Sequence, residues 1–299
     1  LYSSTMFFRK DWESFFLGRP LDYLKTGIDG LRTRISTGVV NFDLLAIPVF
    51  APDILPGGDR FFMFDPFAGI TDRNQKTPSQ TYGNLEAAAR AYGRILGLDV
   101  SAYFYRGFWH SPGFSMDDRQ NPTHVEIFFP ELSTAGFSAQ GRAPGGIVSI
   151  EGGYYYSRED KHGVNPMIPN SQSRFLAGYQ KQLREDLHLG LQYYYEHMED
   201  YSAYVNSLPS GMPAQKEYRD MVTMRLTRFM KHQTVKLSLF GFFSPNDRDY
   251  LLQPVLSYNI ADNFKVAAGG NLFGGIKDTT FLGQFDKNDN AYLSLVFDY

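Results

Sequence analysis

The chain reads as an all-β protein: a transmembrane antiparallel up-and-down β-barrel of about 14 strands, in which residues 1–299 form a single domain. Three observations predict it. Apolar and polar residues alternate in segment after segment, each about ten residues long, the length a tilted strand needs to cross a bilayer. Short turns alternate with long connections, as an up-and-down meander requires. No apolar run reaches the roughly 18 residues of a membrane helix. The longest approach to one, Val39 to Leu55, is broken by Asn41, Asp43, Pro48, Pro52 and Asp53.

The alternation places strands near 1–8, 28–36, 39–50, 83–93, 97–109, 132–142, 147–157, 173–183, 187–198, 218–229, 234–243, 249–260, 264–274 and 290–299. Leu187, Leu189, Leu191, Tyr193 and Tyr195 alternate with His188, Gly190, Gln192, Tyr194 and Glu196. The segment Asn84 to Leu96 is rich in helix formers and carries an Asn cap, but a strand there keeps the alternation of connections intact. Turns fall at Thr37–Gly38, Arg94–Leu96, Ala143–Gly146, Arg184–Asp186, Met230–Gln233 and Ala261–Asn263. Loops run near 9–27, 51–82, 110–131, 158–172, 199–217, 244–248 and 275–289, which predicts short periplasmic turns and long external loops.

Composition agrees. Aromatics make up 16% of the chain, in excess of what a soluble domain needs, while 43% hydrophobic content is ordinary because a barrel alternates its faces. With no cysteine, disulfides, thiolate metal sites and covalent haem attachment are excluded. A net charge of −3 argues against a nucleic-acid partner. The opening Leu1 and the lack of a signal peptide suggest a mature or trimmed product.

In lipid every backbone amide must be paired, so the strands must close and turn their apolar face outward. The polar face then lines the pore: Arg32, Arg34, Glu86, Arg90, Asp99, Arg142, Glu151, Glu196, Arg225, Lys236 and Lys265. Inward basic residues outnumber acidic ones, which predicts a slight anion preference, unless the charges pair across strands and only keep the wall polar. Small inward residues such as Gly136, Ser138, Ser149 and Gly153 leave room for water. Tyr105, Phe108, Trp109, Tyr154, Tyr156, Tyr193, Tyr195 and Phe240 are expected in interfacial girdles.

Three loop features stand apart. Asp286, Asn288, Asp289 and Asn290 cluster as Ca²⁺ ligands would, but without the Gly and distal Glu of an EF-hand; a solvated turn is the simpler reading. Phe61, Phe62, Phe64 and Phe67 in the 51–82 loop, and Trp12, Phe15 and Phe16 before Gly18–Arg19, would either constrict the lumen, cover a partner, or pack on the rim. No catalytic motif is present: Gly136-Phe-Ser138-Ala-Gln140-Gly141 has the wrong spacing for a nucleophile elbow, and the six histidines are scattered. No catalytic residue, metal site or cofactor is expected, and the chain is not expected to be an enzyme.

The closing strand, with Tyr292, Leu293, Leu295, Phe297 and Tyr299, resembles the C-terminal assembly signal of Gram-negative outer-membrane β-barrel porins, with Tyr where that family more often has Phe. Gly18-Arg19-Pro20-Leu21-Asp22-Tyr23 followed by Asp29-Gly30-Leu31-Arg32 is similar to the early strands of alginate-export-type porins. The resemblance implies an integral protein of the bacterial outer membrane, in contact with its lipid and lipopolysaccharide and inserted by the barrel-assembly machinery. It implies a channel for passive passage of small hydrophilic solutes. The alternative is a structural barrel sheathing a partner such as a multihaem cytochrome or another envelope protein.

Overall fold

A computed structural model describes residues 9–19, 21–118 and 121–297. The chain opens with β1 (Arg9–Lys10), α1 (Trp12–Phe16), β2 (Lys25–Thr26), β3 (Leu31–Ser36), β4 (Val40–Ile47) and β5 (Asp72–Gln75). Next come β6 (Glu86–Ile95), β7 (Leu98–Phe108), β8 (Gly113–Met116), β9 (His124–Phe128), β10 (Glu131–Ala143) and β11 (Gly146–Ser157). They are followed by β12 (Gln172–Arg184), β13 (Leu187–Met198), α2 (Tyr201–Ser207), β14 (Tyr218–Met230) and β15 (Val235–Ser244). The last are β16 (Asp249–Ala261), β17 (Phe264–Gly275) and β18 (Asn290–Phe297).

Thirteen strands form one antiparallel sheet in the order β18-β17-β16-β15-β14-β13-β12-β11-β10-β7-β6-β4-β3. This is the expected meander, and Glu86–Ile95 is indeed a strand rather than a helix. Among the described residues β3 and β18 are the two ends of the sheet. The strand expected at 1–8, which would bridge them, lies outside the described residues, as does Tyr299.

The long connections hold more structure than expected. The segments 51–82 and 110–131 supply β5, β8 and β9, a second sheet in which β5 runs parallel to β9. Phe67, Val125 and Met167 form a small core beneath it, with Met212 packed alongside. Beside it the Asp117 carboxylate accepts bonds from the Thr123 hydroxyl and the amides of Thr123 and His124, which hold its pKa well below the usual carboxylate range. The connection expected at 244–248 is residues 245–248, between β15 and β16.

The pairing registers give every strand two faces. The outward positions are apolar along almost their whole length: Leu187, Leu189, Leu191 and Tyr193 on β13; Leu252, Leu256, Tyr258 and Ile260 on β16; Leu293, Leu295 and Phe297 on β18. These residues are not covered by the protein; Leu293, Leu295 and Phe297 are 70%, 64% and 61% exposed. Outward charges, such as Arg106, Lys181, Asp220 and Arg228, sit within four residues of a strand end.

The opposite face is concave and partly filled by the N-terminal segment. Asp11 caps α1 through the Ser14 amide, at 2.8 Å, and Trp12, Phe15 and Phe16 follow at the i, i+3, i+4 spacing of one helical face. Gly18, at φ +95°, ends the turn. The three rings are buried with Leu176, Tyr194, Met221, Phe240, Phe242, Leu251 and Phe273, side chains from β12 through β17. Six flat strands would spread these contacts over about 24 Å, whereas a five-residue helix is about 7.5 Å long, so the sheet curls around it. The curl also brings the 48–85 and 276–289 connections together, where the Phe62 amide donates to Asn288 Oδ1 and Asn288 Nδ2 donates to Phe62 O.

Several expected positions are corrected by this packing. Tyr105 and Phe240 lie on the inward face and are buried, so neither belongs to an interfacial girdle. Trp109, just beyond β7, stacks on Tyr155 inside, and Phe108 is buried against Phe50 and Phe129. Tyr154, Tyr156, Tyr193 and Tyr195 do face outward.

The 276–289 loop is pinned by Asp249, whose buried carboxylate accepts from the amides of Leu282 at 2.8 Å and Gly283 at 3.2 Å. That clamp delivers Leu282 and Phe285 into the core around α1. Asp249→Ala leaves two buried amides unpaired, a loss of about 1–3 kcal/mol. Limited trypsin digestion of the folded protein is expected to cut after Lys277 markedly faster in this variant than in the wild type.

Candidate functional site

The eleven residues expected to line a pore all occupy the inward face by register, but they do not share one environment. Arg32 and Arg34 on β3 converge on Asp43 of β4: Arg32 Nη2 lies 2.7 Å from Oδ2 and Arg34 Nε 3.1 Å from Oδ1. Asp43 is buried while both arginines stay half exposed, so the carboxylate is spent on holding the two guanidinium groups against the wall. Arg90, one strand on, bonds Ser101 Oγ and lies over the Tyr92 ring at 4.4 Å and the Tyr103 ring at 5.5 Å.

Glu86 behaves differently. It is fully buried, accepts a hydrogen bond from the Tyr105 hydroxyl and lies 3.7 Å from His110 Nε2. It therefore belongs to the packing beneath the long-loop rim and does not face open space. Glu196 is paired with Arg174 at 3.1 Å and accepts from the Tyr194 hydroxyl. Arg174 in turn lies over Tyr155 at 4.0 Å and bonds Gln172.

Asp99, Arg142, Lys236 and Lys265 are exposed toward the short-turn end of the inner face, and Glu151 is half-buried. Arg225 lies over Phe240 at 5.6 Å, and Lys236 over Phe229 at 6.0 Å. Basic residues thus collect at that end.

The aromatic cluster divides the inner face into two chambers. On the long-loop side a cavity of about 850 Å³ is bordered by Glu196, Lys216, Arg219, Arg248, Lys277 and Phe281. Arg219 stands over the Phe281 ring at 4.6 Å, and Phe281 packs edge-on to Trp12. On the short-turn side a second cavity, about 740 Å³, is bordered by Arg142, Gln182, His188, Gln192, Thr223 and Arg225. Tyr194 and Met221, on strands that border both, are covered by the helix between them.

The plug is anchored by polar bonds as well as rings. Gln253 Nε2 donates to Phe15 O at 3.3 Å, and Asn271 Nδ2 donates to Phe16 O at 2.8 Å. Tyr292, on the inward face of β18, rests its ring where Gly18 and Gly269 carry no side chain. At the N-terminal side, the Trp12 amide donates to Ile54 O, and the Asp53 amide to His110 O. The segment therefore straps the two halves of the concave face together.

Arg94, Arg174 and Arg219 also point inward, although alternation within their own segments was the only signal for them. The Asp286–Asn290 cluster is a turn. Asp289 Oδ1 accepts from the Phe273 amide, and Asn288 is engaged with Phe62. Of the 51–82 aromatics, Phe61 folds inward against Phe285, Phe67 packs under the small sheet, and Phe62 is exposed.

Neither a family model nor a curated protein matches this chain. Among solved structures, a mutant of the Rh. blastica porin is similar at 12% identity with a TM-score of 0.37, over 87% of this chain and 77% of that one.

In the Arg174–Glu196 pair both partners are largely covered, with side-chain exposures of 27% and 16%. Arg174→Ala is expected to cost about 1–3 kcal/mol, because Glu196 loses its paired cation in a half-buried setting and keeps only the more distant Arg219. Arg174→Ala/Glu196→Gln is expected to recover part of that loss in urea unfolding followed by tryptophan fluorescence.

Proposed function

We propose that the chain is an outer-membrane channel, a barrel closed around a polar lumen that passes small hydrophilic solutes with an anion preference. The observation that carries this reading is the inverted polarity of the sheet. A water-soluble barrel buries its apolar side chains inside; here Leu256, Leu272, Phe243, Phe104 and Leu293 are exposed on the outside, while Arg, Gln, Ser and Thr line the inside. Exposed apolar surface on this scale is stable against lipid rather than water. The core strands β6, β7 and β10 to β17 are 10–13 residues long, sufficient to cross a bilayer when tilted.

In this reading the short turns face the periplasm and the long connections face outward, with lipopolysaccharide against the outer half of the apolar band. The barrel-assembly machinery would insert the chain through its last strand, where Leu293, Leu295 and Phe297 look outward and Tyr292 inward. The strap carrying Trp12, Phe15 and Phe16 is the constriction, and solutes pass between it and the wall formed by β3 to β11. The same strap weighs against a sheath around a multihaem cytochrome, because it occupies the lumen that such a partner would need.

Planar-bilayer recording tests the channel. Steady ohmic steps are expected, with a reversal potential in a KCl gradient displaced toward the chloride value; absence of any conductance from folded protein would reject the reading. Replacing Trp12, Phe15 and Phe16 together with alanine is expected to raise the single-channel conductance several-fold. Leu256→Arg, on the outward face, is expected to cost about 2–4 kcal/mol in lipid vesicles, whereas Ser238→Arg, inward on the neighbouring strand, is expected to cost much less.

A further inference from the structure

The short-turn chamber has a composition that the general polarity of the inner face does not explain. Its border contains Arg142, Arg225, Lys181 and His188 together with glutamines and threonines, and no Asp or Glu. Lys181 belongs to the outward register but reaches the rim of the cavity beside Gly145, its Nζ within 3.0 Å of where a β-carbon there would stand. Gly190, inward on β13 opposite Arg225, leaves its β-carbon position open to 3.9 Å, whereas beside Gly178 on β12 that position is taken by Ser149 Oγ. Arg225 lies over the Phe240 ring, on the wall against which Phe15 of the plug packs.

We propose that this chamber is a binding station for a small oxyanion carrying more than one negative charge. Two guanidinium groups on opposite flanks, β10 and β14, offer planar forks that match carboxylate or phosphate oxygens, which a monatomic anion could not bridge. The ammonium of Lys181 adds a point charge at the mouth. The hydroxyl of Thr223 borders the same space as a neutral donor, beside Gln182, whose Nε2 donates to Glu185 O, and Thr227, whose Oγ1 lies 3.5 Å from Ser238 Oγ. A volume of about 740 Å³ is that of a small-molecule pocket. Lying on the periplasmic side of the constriction, the station would hold an anion immediately before or after it passes the plug. The proposal deepens the channel reading and rests on it for that role, but binding itself needs no membrane.

Isothermal titration of the full chain in detergent micelles at low salt separates the two. Citrate and inorganic phosphate are titrated in separate runs, with maltose as the neutral control. Binding of either anion, and not of maltose, is expected, and which of the two binds identifies the carrier of the charge. Arg142→Gln/Arg225→Gln is expected to weaken that binding about tenfold or more. Lys231→Gln/Lys287→Gln, which removes the same charge at exposed positions outside the chamber, is expected to leave it unchanged. If the glutamine pair fails to fold, as judged by heat-modifiable gel migration, Arg142→Lys/Arg225→Lys keeps the charge but removes the forks and is expected to weaken binding measurably. Absence of binding by both anions, or equal weakening in the chamber and the control variants, would overturn the proposal. Anion binding by a protein that shows no conductance would instead overturn the channel and leave the site standing.

Discussion

Every inside and outside in this protein depends on the antiparallel ladder keeping its register across thirteen strands. Side chains alternate with a period of two, so a slip of one residue would turn a strand's apolar set inward and its polar set outward. The ladder is interrupted in ways that avoid this. Register shifts occur between Gln182 and Arg184 and between Asn259 and Ala261, both at the short-turn rim, where few residues remain to be displaced. Within the sheet, Gln253 and Pro254 drop out of the pairing with β17, but Leu252↔Leu272 and Val255↔Gly269 resume on the same faces. Gln253 bridges the gap with its own side chain, donating to Asn271 Oδ1 at 2.7 Å.

Given that inversion, an apolar cluster on the inner face needs a separate cause. The inward positions of β15 to β17 change character along their length: Lys236, Ser257 and Lys265 near the short turns give way to Phe240, Phe242, Leu251 and Phe273 toward the long loops. Those aromatic and aliphatic residues would be uncovered on the concave face without α1. Covering them with Trp12, Phe15 and Phe16 removes apolar surface on both partners, worth about 1.5–3 kcal/mol for each large side chain fully buried. The backbone carbonyls at the end of the short helix are further satisfied by the wall: Phe15 O, which also takes the Gly18 amide, accepts from Gln253, and Phe16 O accepts from Asn271 and Asn290. The strap and the wall are therefore complementary in both apolar and polar terms, which is why the plug sits over β12 to β17 and not over the small, polar residues of β10 and β11.

The meander and its faces were legible in the sequence because they obey a local rule, the period of two, and that rule needs no knowledge of distant residues. Asn84 to Leu96 shows the rule overriding propensity: its alanines favour a helix in isolation, yet their small size suits an outward strand face between Phe42 and Phe104. What alternation could not convey was which inward residues would be covered. Phe240 and Tyr105 alternate as a girdle residue would, and only the arrival of α1 and of Glu86 places them in a core. Glu86 likewise alternates as a lumen residue and is fully buried by the rim. The parallel pairing of β5 with β9 joins segments about fifty residues apart that carry no strong alternation, so it was invisible before folding.

Alternation also counts charges without weighing them, and the weighing decides what the inner face does. Of the inward acids, Asp43 is consumed by Arg32 and Arg34, Glu196 by Arg174, and Glu86 lies beneath Tyr105. The contribution of these three to the field in open space is thereby reduced, and toward the short turns Arg142, Arg225, Lys236 and Lys265 outnumber the inward acids Asp99 and Glu151. Fixed charges act on a passing ion only within about 8–10 Å at physiological salt. A wide, unobstructed lumen would screen most of this asymmetry away. In the proposed channel the strap, occupying one side of the concave face, would confine water and ions to the remaining space and bring them within reach of those side chains. In that channel the strap that narrows the path would also be what gives the charge distribution its effect.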